Sequence, residues 1–331
     1  MGALTSTGPL RAGIIGLGVG EQHIVGYDAH PHCRTVAICD IDAARLADVG
    51  ERYPHCRQTA DPFDIIADPE IDIVSICSYD DAHGAQIVAA LNAGKHVFVE
   101  KPLCVTRGEL DAIRETAAAH PELKLSSNLI LRRSPRFLDL RERIENGSIG
   151  DIYLLEADYN YGRLHKLTEG WRGRVPNYSV MLGGGVHMVD LLLWLTGDRV
   201  EEVASFGTGL ATRDSTFQGH DTRIAILRFA SGAIGKVVAN FACVYPHHHK
   251  IAVYGTKATF ENNVDAALLI ETRDTKVMPA RLDTLYPGVA KHALIASFVD
   301  SILGQGVADV EAEEIFACMD VCLMIDEHAV K

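Results

Sequence analysis

The sequence predicts an α/β fold: a doubly wound parallel sheet up to about residue 128, followed by a second domain built on another sheet. Three observations predict it. Between Arg11 and Ser127, short apolar runs alternate with stretches long enough to be helices. A glycine-rich turn, Gly16-Leu17-Gly18-Val19-Gly20, follows the first of these runs directly. Beyond residue 150, strand-like runs succeed one another with glycine-containing turns between them, as at Ala230-Ser231-Gly232.

The first run, Arg11 to Leu17, is nearly all apolar, as expected of a central parallel strand covered on both faces. It leads into the glycine turn and a helical stretch to about Ala29. The turn is a variant of the dinucleotide fingerprint, in which Gly16 permits the tight turn and Gly18 lets backbone approach a pyrophosphate. The third glycine comes one place early, with Glu21 where glycine or alanine is usual. A second strand, Thr35 to Cys39, ends in Asp40, at the spacing the fingerprint expects. A carboxylate there accepts from ribose hydroxyls and repels a 2′-phosphate, which favours NAD over NADP. The competing reading is that Asp40 or Asp42 caps the helix Ala43 to Arg52.

The pattern continues with a strand at Ile71 to Cys77 and a helix at Asp81 to Ala93, stopped by Gly94. A strand follows at His96 to Val99, a helix at Thr106 to Ala119, and a strand at Lys124 to Ser127. Such alternation means right-handed crossovers and a parallel sheet whose ligands lie beyond the carboxyl ends of the strands. Asp40, Ser78, Glu100-Lys101 and Asn128 all stand at such ends.

The totals fit this picture. At 331 residues the chain has room for two ordinary domains. A formal charge of −13 with no basic patch argues against nucleic acid. The eight cysteines are scattered without a CxxC, which suits a reduced, cytoplasmic compartment. No signal peptide or membrane-length apolar run is expected, and residues 1–9 read as a disordered lead-in. Met1-Gly2 with Ser6 matches a myristoylation pattern that short polar N-termini meet by chance.

Four segments together resemble the Gfo/Idh/MocA family, the glucose–fructose oxidoreductase and inositol dehydrogenase group. They are Gly16-Leu17-Gly18; Val74-Ser75-Ile76-Cys77-Ser78 with His83; Ala93-Gly94-Lys95-His96-Val97-Phe98-Val99-Glu100-Lys101-Pro102-Leu103; and Gly185-Val186-His187 with Asp190. The resemblance implies a Rossmann domain at 10–128 and a substrate-binding and oligomerisation domain at 129–331. It implies that the second domain is α+β with a large, mostly antiparallel open-faced sheet, the last helices packing back on the first domain. It implies a homodimer or homotetramer formed through that sheet. It implies that Lys101 and His187 face the substrate, and that Glu100, Lys101 and Asn128 lie near the cofactor. The full expected cofactor set is Gly16, Leu17, Gly18, Val19, Gly20, Asp40, Ser78, His83, Glu100, Lys101 and Asn128. Two departures stand out. Many dehydrogenases of the family carry an aspartate four residues before the histidine, and here that place is Gly183, in a run of three glycines. Ser78-Tyr79-Asp80-Asp81 also replaces the proline and asparagine common before His83.

In the second half a helix is expected at Phe137 to Glu145 and a strand at Ile152 to Tyr159. Tyr161, Arg163, Trp171 and Arg172 then suggest a wall for a polyol or nucleotide sugar, aromatics covering C–H faces and arginines forking onto hydroxyls or phosphate. A solvated loop with an aromatic anchor is the alternative. On a helix from Val186 to Leu195, His187 and Asp190 are three apart and project from one face. Strands are expected at Thr222 to Phe229, Ala233 to Phe241, Ile251 to Tyr254 and Ala258 to Glu261, and closing helices at His292 to Leu303 and Glu311 to Ala329. No metal is assigned to His247-His248-His249, because successive strand residues face opposite ways.

The chemistry expected is NAD(P)-dependent hydride transfer at a secondary alcohol of a sugar, nucleotide sugar or cyclic polyol. His187 would act as general acid/base, since an ordinary imidazole titrates near neutrality. Lys101 would hold the oxygen and stabilise developing alkoxide, with Asp190 orienting the imidazole or binding a second hydroxyl. Two alternatives are a non-catalytic dinucleotide or sugar sensor, and an enzyme with tightly held NAD that uses transient oxidation for elimination or epimerisation.

Overall fold

A computed structural model describes residues 8–175 and 178–328, so most of the expected lead-in and the end of the last helix lie outside the described residues. The chain divides into two compact units. One holds the residues up to Ile130 together with Ala290–Phe316, and the other holds Leu131–Val289 with the C-terminal residues from Ala317. The expected second domain therefore loses its segment Ala290–Phe316 to the first unit.

In the first unit, six strands form one parallel sheet: β1 (Leu10–Ile15), β2 (Cys33–Cys39), β3 (Arg57–Thr59), β4 (Ile73–Ile76), β5 (His96–Val99) and β6 (Leu125–Ser127). Their order is β3-β2-β1-β4-β5-β6, so the chain reverses direction between β1 and β4. That reversal is the switch point where doubly wound sheets bind ligands. The middle strands β4 and β5 are buried at every residue, which is why the sequence shows continuous apolar runs there.

The crossovers are α1 (Leu17–Asp28), α2 (Ala43–Arg52), α3 (Pro62–Ile66), α4 (His83–Asn92) and α5 (Arg107–Ala119). Local chemistry fixes their starts. Asp42 caps α2 by accepting from the Ala44 and Arg45 amides, and Asp61 caps α3, which opens on Pro62. Thr106 and Glu109 form a reciprocal capping box at α5. Gly94 follows α4 with φ 75°, the left-handed stop expected of it. Both β3 and α3 were absent from the sequence reading, because a three-residue edge strand and a five-residue helix carry too little periodicity. The expected helix from Asp81 is a 3-10 turn over Asp80–Ala82 before α4 begins.

The second unit opens on α6 (Pro135–Glu145) and builds an eight-stranded sheet. Its strands are β7 (Ile152–Asn160), β8 (Val200–Thr208), β9 (Thr222–Phe229), β10 (Ile234–Asn240), β11 (His248–Gly255), β12 (Thr259–Asn262), β13 (Ala267–Ile270) and β14 (Ala280–Leu282). All pairings are antiparallel except β7 with β10, which run parallel. Alternate residues of β9 are buried and exposed, so this sheet is covered on one face only there. Between β7 and β8 the chain forms α7 (His165–Thr168) and then α8 (Val186–Thr196), whose entry is a π-helical turn at Met181–Gly185. Two helices follow the sheet in sequence, α9 (Ile295–Ile302) and α10 (Ala312–Glu327).

Candidate active site

The glycine turn is shaped by contacts that leave no room for a side chain at Gly16 or Gly20. Gly16 has φ 87°, and a Cβ there would overlap the Cys77 carbonyl at the end of β4. Gly20 lies against β1 and β4: a Cβ would meet Ile14 at 2.8 Å and the Cys77 sulfur at 3.3 Å. It therefore performs the close helix–strand packing that the third fingerprint glycine supplies, although it comes one place early. Leu17 is buried, and its amide donates to Asp40 Oδ2 at 2.8 Å. Gly18 is exposed at the open first turn of α1, which has no side-chain cap.

Asp40 is 5% exposed, and its other oxygen accepts from the Asp42 amide at 2.8 Å. Arg45 Nη1 lies 3.5 Å from Asp40 Oδ2. The cap of α2 is thus Asp42, while Asp40 ties the glycine turn to the end of β2. His83 is fully buried, with Nδ1 2.7 Å from the Pro102 carbonyl and Nε2 3.2 Å from that of Ser78. It was expected as a cofactor contact. Both ring nitrogens face main-chain carbonyls, so His83 positions the segments after β4 and β5. Ser78 donates to Gln86 Oε1 at 2.7 Å.

At the end of β5 lies a pair that the sequence reading missed. His23, on α1, is fully buried with Phe98 against its edge, and its Nε2 is 3.3 Å from Glu100 Oε1. Asn128 Nδ2 donates to the same Glu100 oxygen at 2.6 Å and to the Lys291 carbonyl at 3.0 Å. Asn128 Oδ1 is buried with no hydrogen-bond partner among the described residues. Burial opposes charge on both members of the pair. For His23 the Cys77 sulfur and the Glu100 carboxylate outweigh it, raising the pKa to about 10. For Glu100 the hydrogen bond and charge of His23, then Lys101 and Asn128, hold the pKa down to about 2.

The linkage has a definite sign. The lowered Glu100 pKa contributes stability present above an unfolded carboxyl value of ~4.3 and lost as pH falls towards about 2. The raised His23 pKa contributes stability present below an unfolded value of ~6.5 and lost as pH rises towards about 10. His23→Gln is therefore expected to flatten the melting temperature between neutral and alkaline pH, measured by scanning calorimetry beside wild type. An unchanged alkaline slope would refute a charged His23.

In the second unit the aromatic wall is real but is composed differently from the expectation. His187 is 8% exposed at the start of α8, its ring stacked beside Tyr159 (centroids 6.3 Å) and across from His249 (6.1 Å). Tyr161 stacks on Tyr159 at 5.4 Å, and Arg163 lies over Tyr161 at 4.8 Å. His249 Nδ1 is 2.6 Å from the Tyr286 hydroxyl, which fixes that imidazole. No group of three or more His, Cys, Asp or Glu is gathered as metal ligands among the described residues.

Trp171 and Arg172 meet the site through Tyr178. Arg172 stacks on Trp171 at 4.6 Å and donates from Nε to the Tyr178 hydroxyl at 2.9 Å. That hydroxyl fills the space a side chain at Gly183 would need. The place where the resemblance leads one to expect an aspartate is thus taken by a phenol held by an arginine. Gly183→Asp is expected to destabilise the fold by about 1–3 kcal/mol through overpacking. Tyr178→Ala should recover part of that loss in a double-mutant cycle read by urea unfolding; strict additivity would show that the two positions do not compete.

Asp190 is paired with an arginine. It was expected to bind substrate or orient His187, but it is 1% exposed and gripped by Arg132. Arg132 Nη2 donates at 2.7 Å and Nε at 3.1 Å to the same carboxylate. An ionised side chain on a helix buried nearly all round needs a buried cation, and Arg132 supplies it. The Arg132 pairing therefore ties Asp190 of α8 to the segment after Asn128. The only sequence signal for Arg132 was its place in the pair Arg132-Arg133 after Asn128.

A parallel sheet with a glycine-rich turn at its switch point, an acidic residue after β2 and a buried orphan acceptor on Asn128 fits a dinucleotide. Residues 10–128 match the model of the oxidoreductase family with an NAD-binding Rossmann fold, and residues 137–261 match the GFO/IDH/MocA C-terminal domain. The myo-inositol 2-dehydrogenase of Thermotoga maritima is 30% identical over 273 residues, covering 80% of this chain and 78% of its own. An inositol 2-dehydrogenase of Acidothermus cellulolyticus is 28% identical over 261 residues, covering 76% and 72%. Among solved structures, scyllo-inositol dehydrogenase of Lactobacillus casei with NAD(H) and scyllo-inositol superposes with a TM-score of 0.81 at 23% identity, covering 97% of each chain. The chain belongs to the GFO/IDH/MocA oxidoreductase family.

Proposed function

We propose that the protein oxidises a secondary hydroxyl of a cyclic polyol of the inositol type, with NAD as hydride acceptor. The observation that carries this is the start of α8, where buried His187 sits in a wall of Tyr159, Tyr161, His249 and Tyr286. Such a wall offers flat faces for ring C–H groups and several hydroxyl and imidazole partners for ring hydroxyls. The naming of the relatives from Thermotoga maritima and Acidothermus cellulolyticus supports the same substrate class.

In this reading the glycine turn and the open first turn of α1 hold the pyrophosphate, and the remaining lone pairs of Asp40 take the ribose hydroxyls. Asn128 Oδ1, buried without a partner among the described residues, would be available to accept from the dinucleotide. The nicotinamide, when bound, supplies the hydride chemistry. His187 accepts the hydroxyl proton as that bond is broken. Lys101 holds the same oxygen and stabilises its developing negative charge. Glu100, kept ionised by His23, fixes the backbone from which Lys101 extends through a hydrogen bond from the Lys101 amide at 3.3 Å.

The test is NADH formation by the purified protein with a panel of inositols, aldoses and nucleotide sugars. Turnover on an inositol above all other members supports the reading. Selective turnover of a nucleotide sugar, or NAD binding with neither net NADH nor deuterium exchange into any member, overturns it.

We infer too that the protein is a homo-oligomer in a reducing, cytoplasmic compartment. All eight cysteines are thiols, which fits such a compartment. On the open face of the second sheet, exposed Phe206 pairs across the strands with Ile224, and exposed Ile226 with Ala204. A contiguous apolar strip of this kind is what an isologous dimer covers. Phe206→Glu combined with Ile226→Glu is expected to shift the light-scattering mass to that of one chain. A wild type that is already monomeric would refute the assignment.

A further inference from the structure

The end of β4 holds a thiol that hydride transfer does not require. Cys77 is half-buried, and its Sγ lies 3.3 Å from His23 Nδ1. On the far side of the ring, Nε2 is 3.3 Å from Glu100 Oε1. Ser75 Oγ, 2.9 Å from Nδ1, holds the imidazole in that orientation. Thiol, imidazole and carboxylate therefore stand in line, which is the arrangement that makes cysteines nucleophilic. The same sulfur lies beneath the glycine turn, 3.3 Å from where a Cβ on Gly20 would stand, and the Cys77 carbonyl closes on Gly16. An atom added to the sulfur has to press on the turn that α1 offers to a pyrophosphate.

We propose that Cys77 is a peroxide- and electrophile-reactive thiol, activated by His23 and Glu100, whose oxidation closes the dinucleotide site. The reaction with hydrogen peroxide balances as follows. The sulfur attacks one peroxide oxygen, and the thiol proton replaces the one that protonated His23 gives up. The S–O bond forms as the O–O bond breaks, and the departing hydroxide takes the proton from His23 to become water. Sulfur loses two electrons to give a sulfenic acid, and one peroxide is reduced to water. An added dithiol restores the thiol through a mixed disulfide. The consequence for binding rests on the reading of the Gly16 turn as the NAD site, whereas the reactivity of the thiol does not.

The remaining cysteines serve as internal controls. Cys33, Cys39, Cys56, Cys104, Cys318 and Cys322 are buried. Cys243 is half-buried like Cys77, but its Sγ donates to the Asn240 carbonyl at 3.5 Å, and burial pushes its pKa up. The experiment is iodoacetamide labelling of the full-length protein, followed at each cysteine by peptide mass spectrometry. Cys77 is expected to label about tenfold or more faster than Cys243, and His23→Gln to remove most of that advantage. Saturating NAD should slow labelling of Cys77 and leave Cys243 unchanged. In parallel, peroxide should weaken NAD binding about tenfold or more, with recovery on adding dithiothreitol. Cys77→Ser should bind NAD equally before and after peroxide, whatever its own affinity.

Equal labelling rates at Cys77 and Cys243 in wild type would overturn the activation, and this comparison stands even if His23→Gln fails to fold. A sulfenylated Cys77 with unchanged NAD affinity would overturn the closure. NAD affinity of the untreated protein is measured first, so failure of the dinucleotide reading shows separately.

Discussion

Lys101→Met and His187→Gln are each expected to lower kcat by about 10²–10⁴-fold on the substrate found in the polyol screen. NAD affinity should change little in His187→Gln, which lies outside the expected cofactor set. The two losses differ in kind. His187 is assigned the proton, so its removal should also abolish one limb of the pH dependence of kcat/KM. Lys101 is assigned the charge on oxygen, so its removal should lower the whole profile and leave its shape. Electrostatic stabilisers of this sort contribute about 10²–10³-fold, which puts Lys101→Met at the gentler end of the range. Lys101→Arg keeps the charge but not the compact ammonium, and it is expected to recover only part of the rate. Near-normal turnover in both Lys101→Met and His187→Gln would end the assignment of either residue to chemistry.

What the sequence revealed of this site follows from where its residues lie. Strand ends are legible because apolar runs are, and the parallel sheet turns those ends into one edge. Thr35 to Cys39 and His96 to Val99 therefore located Asp40 and Lys101 before any contact was known. Local capping was equally readable, down to the start of α2 at Ala43. The short edge strands β3 and β14, and β13 beside the latter, were not, since these three or four residues establish no period. Nor was β8, whose outward residues include Glu202 and Ala204 beside Phe206 and break the apolar alternation. The side chains that complete the site are a different case. His23 meets Glu100 across 77 positions, and Arg132 meets Asp190 across 58. Tyr178 fills the room left by Gly183 because of a π-helical turn that no propensity encodes. Spacing could show that an aspartate was missing at 183, but only packing shows what stands there instead.

The Arg132–Asp190 pair tests how far stability and chemistry are separable on α8. Both side chains are almost fully enclosed, at 3% and 1% exposure, and Arg132 contacts both carboxylate oxygens. Arg132→Met fills much of the volume but leaves a carboxylate buried without its cation, and it is expected to cost about 3–5 kcal/mol. Replacing both partners, as Arg132→Met with Asp190→Leu, removes the stranded charge and should recover most of that loss, because a well-packed apolar pair often equals a buried ion pair. Urea unfolding of the two variants beside wild type measures both quantities. The double variant also decides what Asp190 does for the reaction. A structural anchor, once replaced by a packed apolar pair, should leave His187 in place and most of kcat intact. A double variant that is stable yet loses turnover as heavily as His187→Gln would return Asp190 to the reaction, as the residue that holds the imidazole ready for the proton.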